Sequence, residues 1–350
     1  MILYERILKK IKYYYIFLYF LTILIELLIY FYKHFYNIMY KIIIVSSIID
    51  TQRIDNFLIN KFKTVPKSMI YKMLRKGKIK VNKKKILPNF KIKSQDIIKL
   101  PYIYKKKIKP IKVNLTLNKK KFLKKIIIFE DKYLLIINKP SGIAVHGGSG
   151  INYGIIENFR CLFKKNKFLE LVHRIDKETS GILLIAKKRS ILKILQKQLI
   201  EKKIIKEYIA LVKGNCFEKK YIYIKNFLLK NFLNKKIKVK IDNKGKYAET
   251  KFKIIKNYKN MMLIKINPIT GRTHQIRVHM SHLNFPIIND QRYGDDNLNF
   301  QFKKHYHLDR LFLHAKSIKF IHPKNNKKIK IVAPLSNELN NCLVKIEYNK

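Results

Sequence analysis

The stretch Leu171-Val172-His173-Arg174-Ile175-Asp176-Lys177-Glu178-Thr179-Ser180-Gly181 is entered by a hydrophobic strand and left by an apolar run, Ile182 to Ala186. The polar loop between them sets a carboxylate, Asp176, beside a fixed positive charge, Arg174, and closes on a Thr-Ser-Gly turn. Such a pair at the mouth of a sheet is where catalytic groups tend to sit. A lone Asp in a loop more often caps a turn. Motifs on either side of this loop decide against that plainer reading.

At 350 residues the chain can hold one large domain and a smaller one. Lys and Arg number 77 against 22 Asp and Glu, a net charge of +55 that far exceeds what solubility needs. Such a field attracts polyanions, nucleic acid first and an anionic membrane surface second. Lys, Ile, Asn, Tyr and Phe are over-used and Trp is absent, as AT-rich codons dictate, so charge alone does not establish RNA or DNA binding. Under that bias the surviving arginines point to places that need a planar guanidinium. Arg53 and Arg75 fall in one early segment; Arg174, Arg272, Arg277, Arg292 and Arg310 fall in later ones that also carry scarce Gly and His. Cys161, Cys216 and Cys342 form neither a disulfide framework nor a zinc pattern, which fits a reducing compartment and a cytoplasmic location.

Tyr13 to Tyr32 is almost wholly apolar, interrupted by Thr22 and Glu26, and long enough to span a bilayer. A mid-span Glu is costly, and tyrosines belong at interfaces more than in hydrocarbon. The preferred reading places the true start at Met39, with residues 1–38 an upstream AT-rich leader read in frame; a disposable extension and a membrane anchor are the alternatives. No membrane partner is therefore expected.

A first folded unit is expected over residues 51–101. Ile54, Phe57 and Leu58 lie on one face of a first helix, and Val65-Pro66-Lys67-Ser68 opens a second, with Ser68 as its cap and Ile70, Met73 and Leu74 facing inward. Gly77 can take the left-handed conformation that stops this helix. Short strands follow at Ile79 to Asn82 and Asp96 to Leu100, and Lys67, Lys72, Arg75, Lys76 and Lys78 line the exposed side. With Arg53, these are the candidate RNA-binding residues. The unit resembles the small S-four-type RNA-binding module. Residues 102–125, rich in Lys, read as a flexible charged linker.

The second domain is expected over residues 126–350. Ile126 to Lys139 reads as two strands joined by a turn at Asp131, followed by a loop crowded with Gly142, Gly147, Gly148, Gly150 and Gly154. Free amides in such a loop can cradle phosphate, although a plain flexible connection reads equally well. No Gly-Lys-Ser/Thr pattern exists, which excludes a nucleotide-triphosphate P-loop. Ser190 is expected to cap an amphipathic helix with Ile191, Leu192, Ile194, Leu195, Leu199 and Ile200 on its buried side. Lys206 to Val212 returns as a strand, and its Tyr208 is either a core residue or a stacking platform. In Gly271-Arg272-Thr273-His274-Gln275-Ile276-Arg277-Val278-His279, Thr273 can cap a helix from about His274, and Arg277 can reach a carboxylate. His274, His279 and His282 lack metal spacing and a nearby acidic ligand, so no metal is expected.

Taken in order, Asn138-Lys139-Pro140-Ser141-Gly142, the His173–Gly181 run, Lys206-Glu207-Tyr208 and Gly271 through His279 resemble the motifs of RluA-type pseudouridine synthases. Asp290-Gln291-Arg292-Tyr293-Gly294 and Arg310-Leu311-Phe312-Leu313-His314-Ala315 extend the resemblance to the C-terminal region. One departure is Ile175, where the family usually has Leu, a nearly volume-neutral change. The resemblance implies an α+β fold: a mixed, largely antiparallel central sheet flanked by helices, with a catalytic cleft across its middle, preceded by the small RNA-binding domain. It implies isomerisation of uridine to pseudouridine, without a cofactor, in large-subunit ribosomal RNA, with transfer RNA the nearest rival substrate. Asp176 would be the catalytic residue, as a nucleophile or as a base toward the ribose. Arg277 would pair with Asp176 and keep it ionised, Tyr208 would stack on the target base, and Arg174 would fill the gap left by the flipped nucleotide. A monomer is expected.

Overall fold

The computed structural model describes residues 18–30, 40–46, 51–62, 65–101, 115–147, 153–163, 168–215, 221–233 and 236–348. The chain divides into two units, Met1–Lys112 and Val113–Lys350.

In the first unit, helix α1 (residues 18–30) is exposed along its length. The rest of the 1–38 leader lies outside the described residues. No helix among the described residues is long and apolar enough to cross a membrane. Strand β1 (Tyr40–Ile44), helices α2 (Ile54–Lys61) and α3 (Lys67–Arg75), and strands β2 (Lys80–Val81), β3 (Lys84–Lys85) and β4 (Ile97–Pro101) follow. The sheet runs β1-β4-β2-β3, and Ile54, Leu58, Ile70 and Leu74 are buried with its Val81, Ile98 and Leu100. Three- and four-residue spacing of apolar positions thus puts one stripe of each helix into this core. Gly77 takes φ +65° just past α3, as expected. Two expectations are corrected. β1 pairs with β4, so the unit reaches back to Tyr40 rather than starting at residue 51. Ser68 does not cap α3; Pro66 precedes its first residue, and no side chain bonds its free amides.

The second unit begins with helix α4 (Leu117–Lys125), which corrects the linker reading. Thr116 Oγ accepts from Lys119 N at 3.3 Å, and Leu123 is buried in the core. Lysine is a good helix former, and one buried Leu anchors the segment without leaving a periodic signal. Residues 102–114 of the expected linker lie outside the described residues. Strands β5 (Ile127–Glu130) and β6 (Leu134–Lys139) flank the expected turn, where the Asp131 carboxylate accepts from Tyr133 N and Leu134 N. Helix α5 (Ile155–Leu162), strands β7 (Glu170–Leu171) and β8 (Ser180–Ala186), helix α6 (Arg189–Ile200) and strand β9 (Ile205–Lys213) come next. Strands β10 (Ile222–Leu233), β11 (Lys236–Ile241), β12 (Lys246–Tyr258) and β13 (Met261–Pro268) form a meander. Helices α7 (Gln275–His282) and α8 (Asp296–Tyr306), strands β14 (Leu313–Ile321) and β15 (Lys328–Val332), and helix α9 (Asn337–Tyr348) complete the unit.

The sheet follows the order β11-β10-β12-β13-β9-β14-β8-β6-β5, with β15 on β14 and β7 on β8. All described pairings are antiparallel except β14 with β8. Gly181 makes that parallel seam: its φ is +107°, and a Cβ there would lie 2.3 Å from Ala315 O. Helices α5 and α7 bury Phe159, Ile276 and Met280 against the sheet. Separate clusters bury Ile191 and Leu195 of α6, and Phe302 of α8 with Leu339 of α9. Ser190 does not cap α6: the helix starts one residue earlier, with no side-chain cap at Lys188. Ile194 and Ile200, expected to be buried, are exposed.

Candidate active site

Three latches hold the loop between β7 and β8. His173 Nε2 accepts from Leu184 N at 3.2 Å, and burial pushes the ring down to about 3, so it stays a neutral acceptor. The fully buried Lys139 ammonium donates to Pro140 O, Ile143 O and Lys177 O at 2.7, 2.9 and 3.1 Å. All three of its protons are thereby used, although burial pushes its pKa down to about 7. The third latch is at the start of β8. Arg310 Nη2 donates to Ser180 Oγ at 2.7 Å, and Ser180 Oγ lies 2.8 Å from His314 Nδ1. A guanidinium only donates, so the Ser180 proton points to His314 Nδ1, leaving the proton of this neutral ring on Nε2, toward Ala333 O. Burial keeps His314 neutral by lowering its pKa to about 4.

The latches leave Asp176 partly buried, with Arg277 of α7 facing it. Arg277 Nη1 lies 3.8 Å from Asp176 and 3.7 Å from Glu178. Its tighter partner is Asp290, whose carboxylate takes Nε and Nη2 at 2.7 Å each. Nη1 is buried and has no hydrogen-bond partner. Arg277 thus stands at ion-pair distance from Asp176, while its hydrogen bonds go to Asp290, a partner the sequence reading did not name. Arg277 favours the ionised form of Asp176, in the expected direction, and burial works against it. Burial pushes the Asp176 carboxyl above the ordinary carboxylate range; Arg277 and then Arg174 oppose this, while Glu178 and Asp290 add to it. A carboxylate held at this balance is suited to taking part in chemistry.

Asp176, Arg174, Tyr208, Lys206, Arg272 and Arg277 share a cavity of about 90 Å³. The structure thus brings together all four residues expected at the site. Tyr208 is buried on β9, and burial with the nearby Asp176 raises its hydroxyl well above the usual range, so it stays protonated. Arg174 is exposed at the cavity's edge. Burial lowers Lys206 and makes it a poorly solvated cation on the same wall.

Helix α7 begins at Gln275, and His274, in the left-handed conformation at φ 52°, precedes it; Thr273 is not its cap. Gln275 instead fixes the turn, accepting from Thr270 Oγ1 and Arg272 N and donating to Glu249 O. The ring nitrogens of His274 and His279 face Tyr293 OH and Thr250 Oγ1 at 2.8 and 2.9 Å. No metal-holding cluster occurs among the described residues. In the glycine-rich loop, Gly147 N and Gly154 N both donate to the Glu157 carboxylate, so these amides are not available to a phosphate.

In the first unit, Lys67, Lys72, Arg75, Lys76 and Lys78 are all exposed, from α3 and the turn after it. Arg53 stands apart. Its guanidinium is bonded to the buried Asp55 through Nε and Nη2 at 3.2 and 2.7 Å. Burial opposes the Asp55 charge, yet bonds from Arg53, Tyr71 and Asn56 N outweigh it and hold the carboxyl below the usual range.

Sequence reasoning gave no role to Asp290, Gln275, Glu178 or the Ser180–His314–Arg310 chain. Asp290 and Arg310 stood in quoted motifs, and their acidic and scarce-arginine character was the available signal.

A family profile described as RNA pseudouridylate synthase matches residues 133–282, and an S4 domain profile matches residues 52–98. A Buchnera aphidicola (from Acyrthosiphon pisum) protein named ribosomal large subunit pseudouridine synthase C is 53% identical over 304 residues, 86% of this chain and 96% of that one. A Yersinia pestis protein of the same name is 46% identical over 299 residues, 85% and 93% of the two chains. Among solved structures, human RNA pseudouridylate synthase domain containing 4 is similar with a TM-score of 0.55 at 25% identity, covering 65% of this chain and 95% of that one.

Proposed function

The chain belongs to the RNA pseudouridylate synthase family, and we propose that it converts specific uridines of large-subunit ribosomal RNA to pseudouridine with Asp176 as the catalytic residue. It is an RNA isomerase with an RNA-binding S4 domain in front. The observation that carries the role of Asp176 is its place in a small cavity opposite the bonded-in-place Arg277, with Nη1 3.8 Å away. In the reaction the N1–C1′ bond of uridine breaks and a C5–C1′ bond forms. The uracil N1 gains a proton and C5 loses one, so atoms balance without a cofactor.

Asp176 serves as nucleophile or as base toward the ribose; burial, which raises its pKa, suits either role. Tyr208 offers its ring as the floor on which the base stacks, and Arg174 at the cavity's edge takes the space of the flipped nucleotide. Lys67, Lys72, Arg75, Lys76 and Lys78 meet phosphates from the first unit, giving affinity more than sequence choice. Arg53 acts there through its bond with Asp55, as a brace of the fold. The free Cys161 and Cys342 fit a reducing compartment, which supports a cytoplasmic location. The ribosomal substrate draws on the names of the relatives. Its test is release of tritium from C5-labelled uridine in unmodified large-subunit ribosomal RNA and, separately, in transfer RNA. Release from the ribosomal RNA alone supports this reading; release from transfer RNA alone overturns the substrate and keeps the reaction.

A further inference from the structure

The meander β10–β12–β13 has two unlike faces. One carries Ile224, Leu228, Ala248, Thr250 and Phe252, all buried, and α7 covers part of it: Val278 packs with Leu228 and Ala248, and His279 bonds Thr250. On the other face the register sets Tyr223 beside Lys251, Lys225 beside Glu249, and Phe227 beside Tyr247. These rings are not buried: Tyr223 is 57% exposed, Phe227 45% and Tyr247 39%, and Tyr221, just before β10, is 38% exposed. Lysines interleave with them. Lys251 and Lys253 stand 4.9 and 5.6 Å over the Tyr221 ring, and Phe227 meets Tyr247 edge-on at 6.0 Å. Among the described residues here, Glu249 accepts from Tyr247 OH, Glu207 holds Lys265 at 2.8 Å, and Asp242, opposite Phe227, holds Lys240 at 2.8 Å.

Rings spaced along a strand by multiples of about 7 Å, with lysines between them, are what a single-stranded polyanion with stacking bases requires. A protein partner would be faced with several uncompensated ammonium groups. The strip also joins the catalytic cavity: Arg272 donates from Nε to Tyr247 O at 2.9 Å, and Arg272 lines the cavity that holds Asp176.

We propose that this open sheet face is a track for a single-stranded segment of the RNA substrate adjoining the target uridine, its bases stacking on Tyr223 and Phe227 and its phosphates meeting Lys225 and Lys251. The inference rests on the reading of the chain as an RNA-modifying enzyme and adds a surface that begins beside the Asp176 cavity and makes no contact with the reacting atoms.

The test uses the full chain, unmodified large-subunit ribosomal RNA and a mixed-sequence single-stranded RNA oligonucleotide. Kd is measured by filter retention, and KM and kcat by tritium release. The double variant Tyr223→Ala/Phe227→Ala should raise both Kd and KM about tenfold or more with kcat unchanged. Tyr223→Phe/Phe227→Tyr, which keeps both rings, should bind as the parent does. Lys225→Gln/Lys251→Gln should lower the slope of log affinity against log salt by about 0.7 for each phosphate left unneutralised. A folded Ala/Ala chain with parental Kd and KM, together with an unchanged salt slope for the Gln pair, would overturn the track. A parent chain that binds RNA and releases no tritium would overturn the catalytic reading instead, and the binding constants would still decide the track.

Discussion

Asp290 binds Arg277 through Nε and Nη2 at 2.7 Å each, and this fixes the guanidinium so that Nη1 faces Asp176 at 3.8 Å. Asp290 is thus the residue that maintains the arrangement. Both partners are almost fully buried, 2% and 1% exposed. Removing one member of a buried pair leaves the other uncompensated, at a cost of about 3–5 kcal/mol. Asp290→Ala should therefore lose about that much stability in denaturant unfolding. Its single-turnover tritium release should fall at least tenfold (~1.4 kcal/mol) as the guanidinium loses its aim. Asp290→Asn, which keeps one acceptor, should fall between the two in both measurements.

The pH dependence of kcat/KM follows from the charges around Asp176. Burial, Glu178 and Asp290 raise its pKa, and Arg277 and Arg174 lower it; Tyr208 and the depressed Lys206 also face the cavity. The net direction is upward, so the acid limb should lie above the ordinary carboxylate range near 4. Glu178→Gln removes a negative charge that disfavours ionisation, so its acid limb should move to lower pH. An acid limb that stays in place, or moves up, would remove Glu178 from the electrostatics of the site.

Gly181 lies at the only described parallel pairing, directly after the loop that carries Asp176. A Cβ would lie 2.3 Å from Ala315 O, in a backbone conformation that side chains avoid. Gly181→Ala should destabilise the second unit by roughly 2–4 kcal/mol, from strain and overpacking together. Thermal unfolding measures it; a change below 0.5 kcal/mol (about the spread of ordinary surface substitutions) would show that the seam yields easily.

Much of this was legible beforehand. The β5–β6 turn was marked by Asp131, the catalytic loop by an apolar run on each side, and Gly77 by its place after α3. All four expected site residues share one cavity; Arg174, Asp176 and Arg277 stand in motifs rich in Gly, Arg and His, which AT-rich drift disfavours, whereas Tyr208 stands among residue types that it favours. Where the reading failed, the cause is physical. Helix α4 is held by a single buried Leu123, which leaves no period amid its lysines. Ser68 and Ser190 do not cap because each falls inside its helix, one residue past the first, and before α7 the Gln275 amide holds the turn in place of Thr273. The Arg277–Asp290 bond spans 13 residues and a turn, a contact that only the folded chain creates.

In the first unit, Lys72 and Lys76 are exposed and outside the catalytic unit. Lys72→Gln/Lys76→Gln should weaken RNA binding almost equally for different sequences and lower the salt slope by about 0.7–0.9 for each phosphate left unneutralised. Turnover at saturating RNA should be unchanged. A fall in kcat with unaltered affinity would contradict the division of labour between the units.

The most direct test compares the parent chain with Asp176→Asn in parallel, measuring tritium release from C5-labelled large-subunit ribosomal RNA and affinity for the same RNA. Asn keeps the size of the side chain and removes the carboxylate proposed as nucleophile or base. Asp176→Asn is expected to bind with near-parental affinity and to release no tritium above background. Release at a rate within tenfold of the parent would contradict the assignment of Asp176 as the catalytic residue.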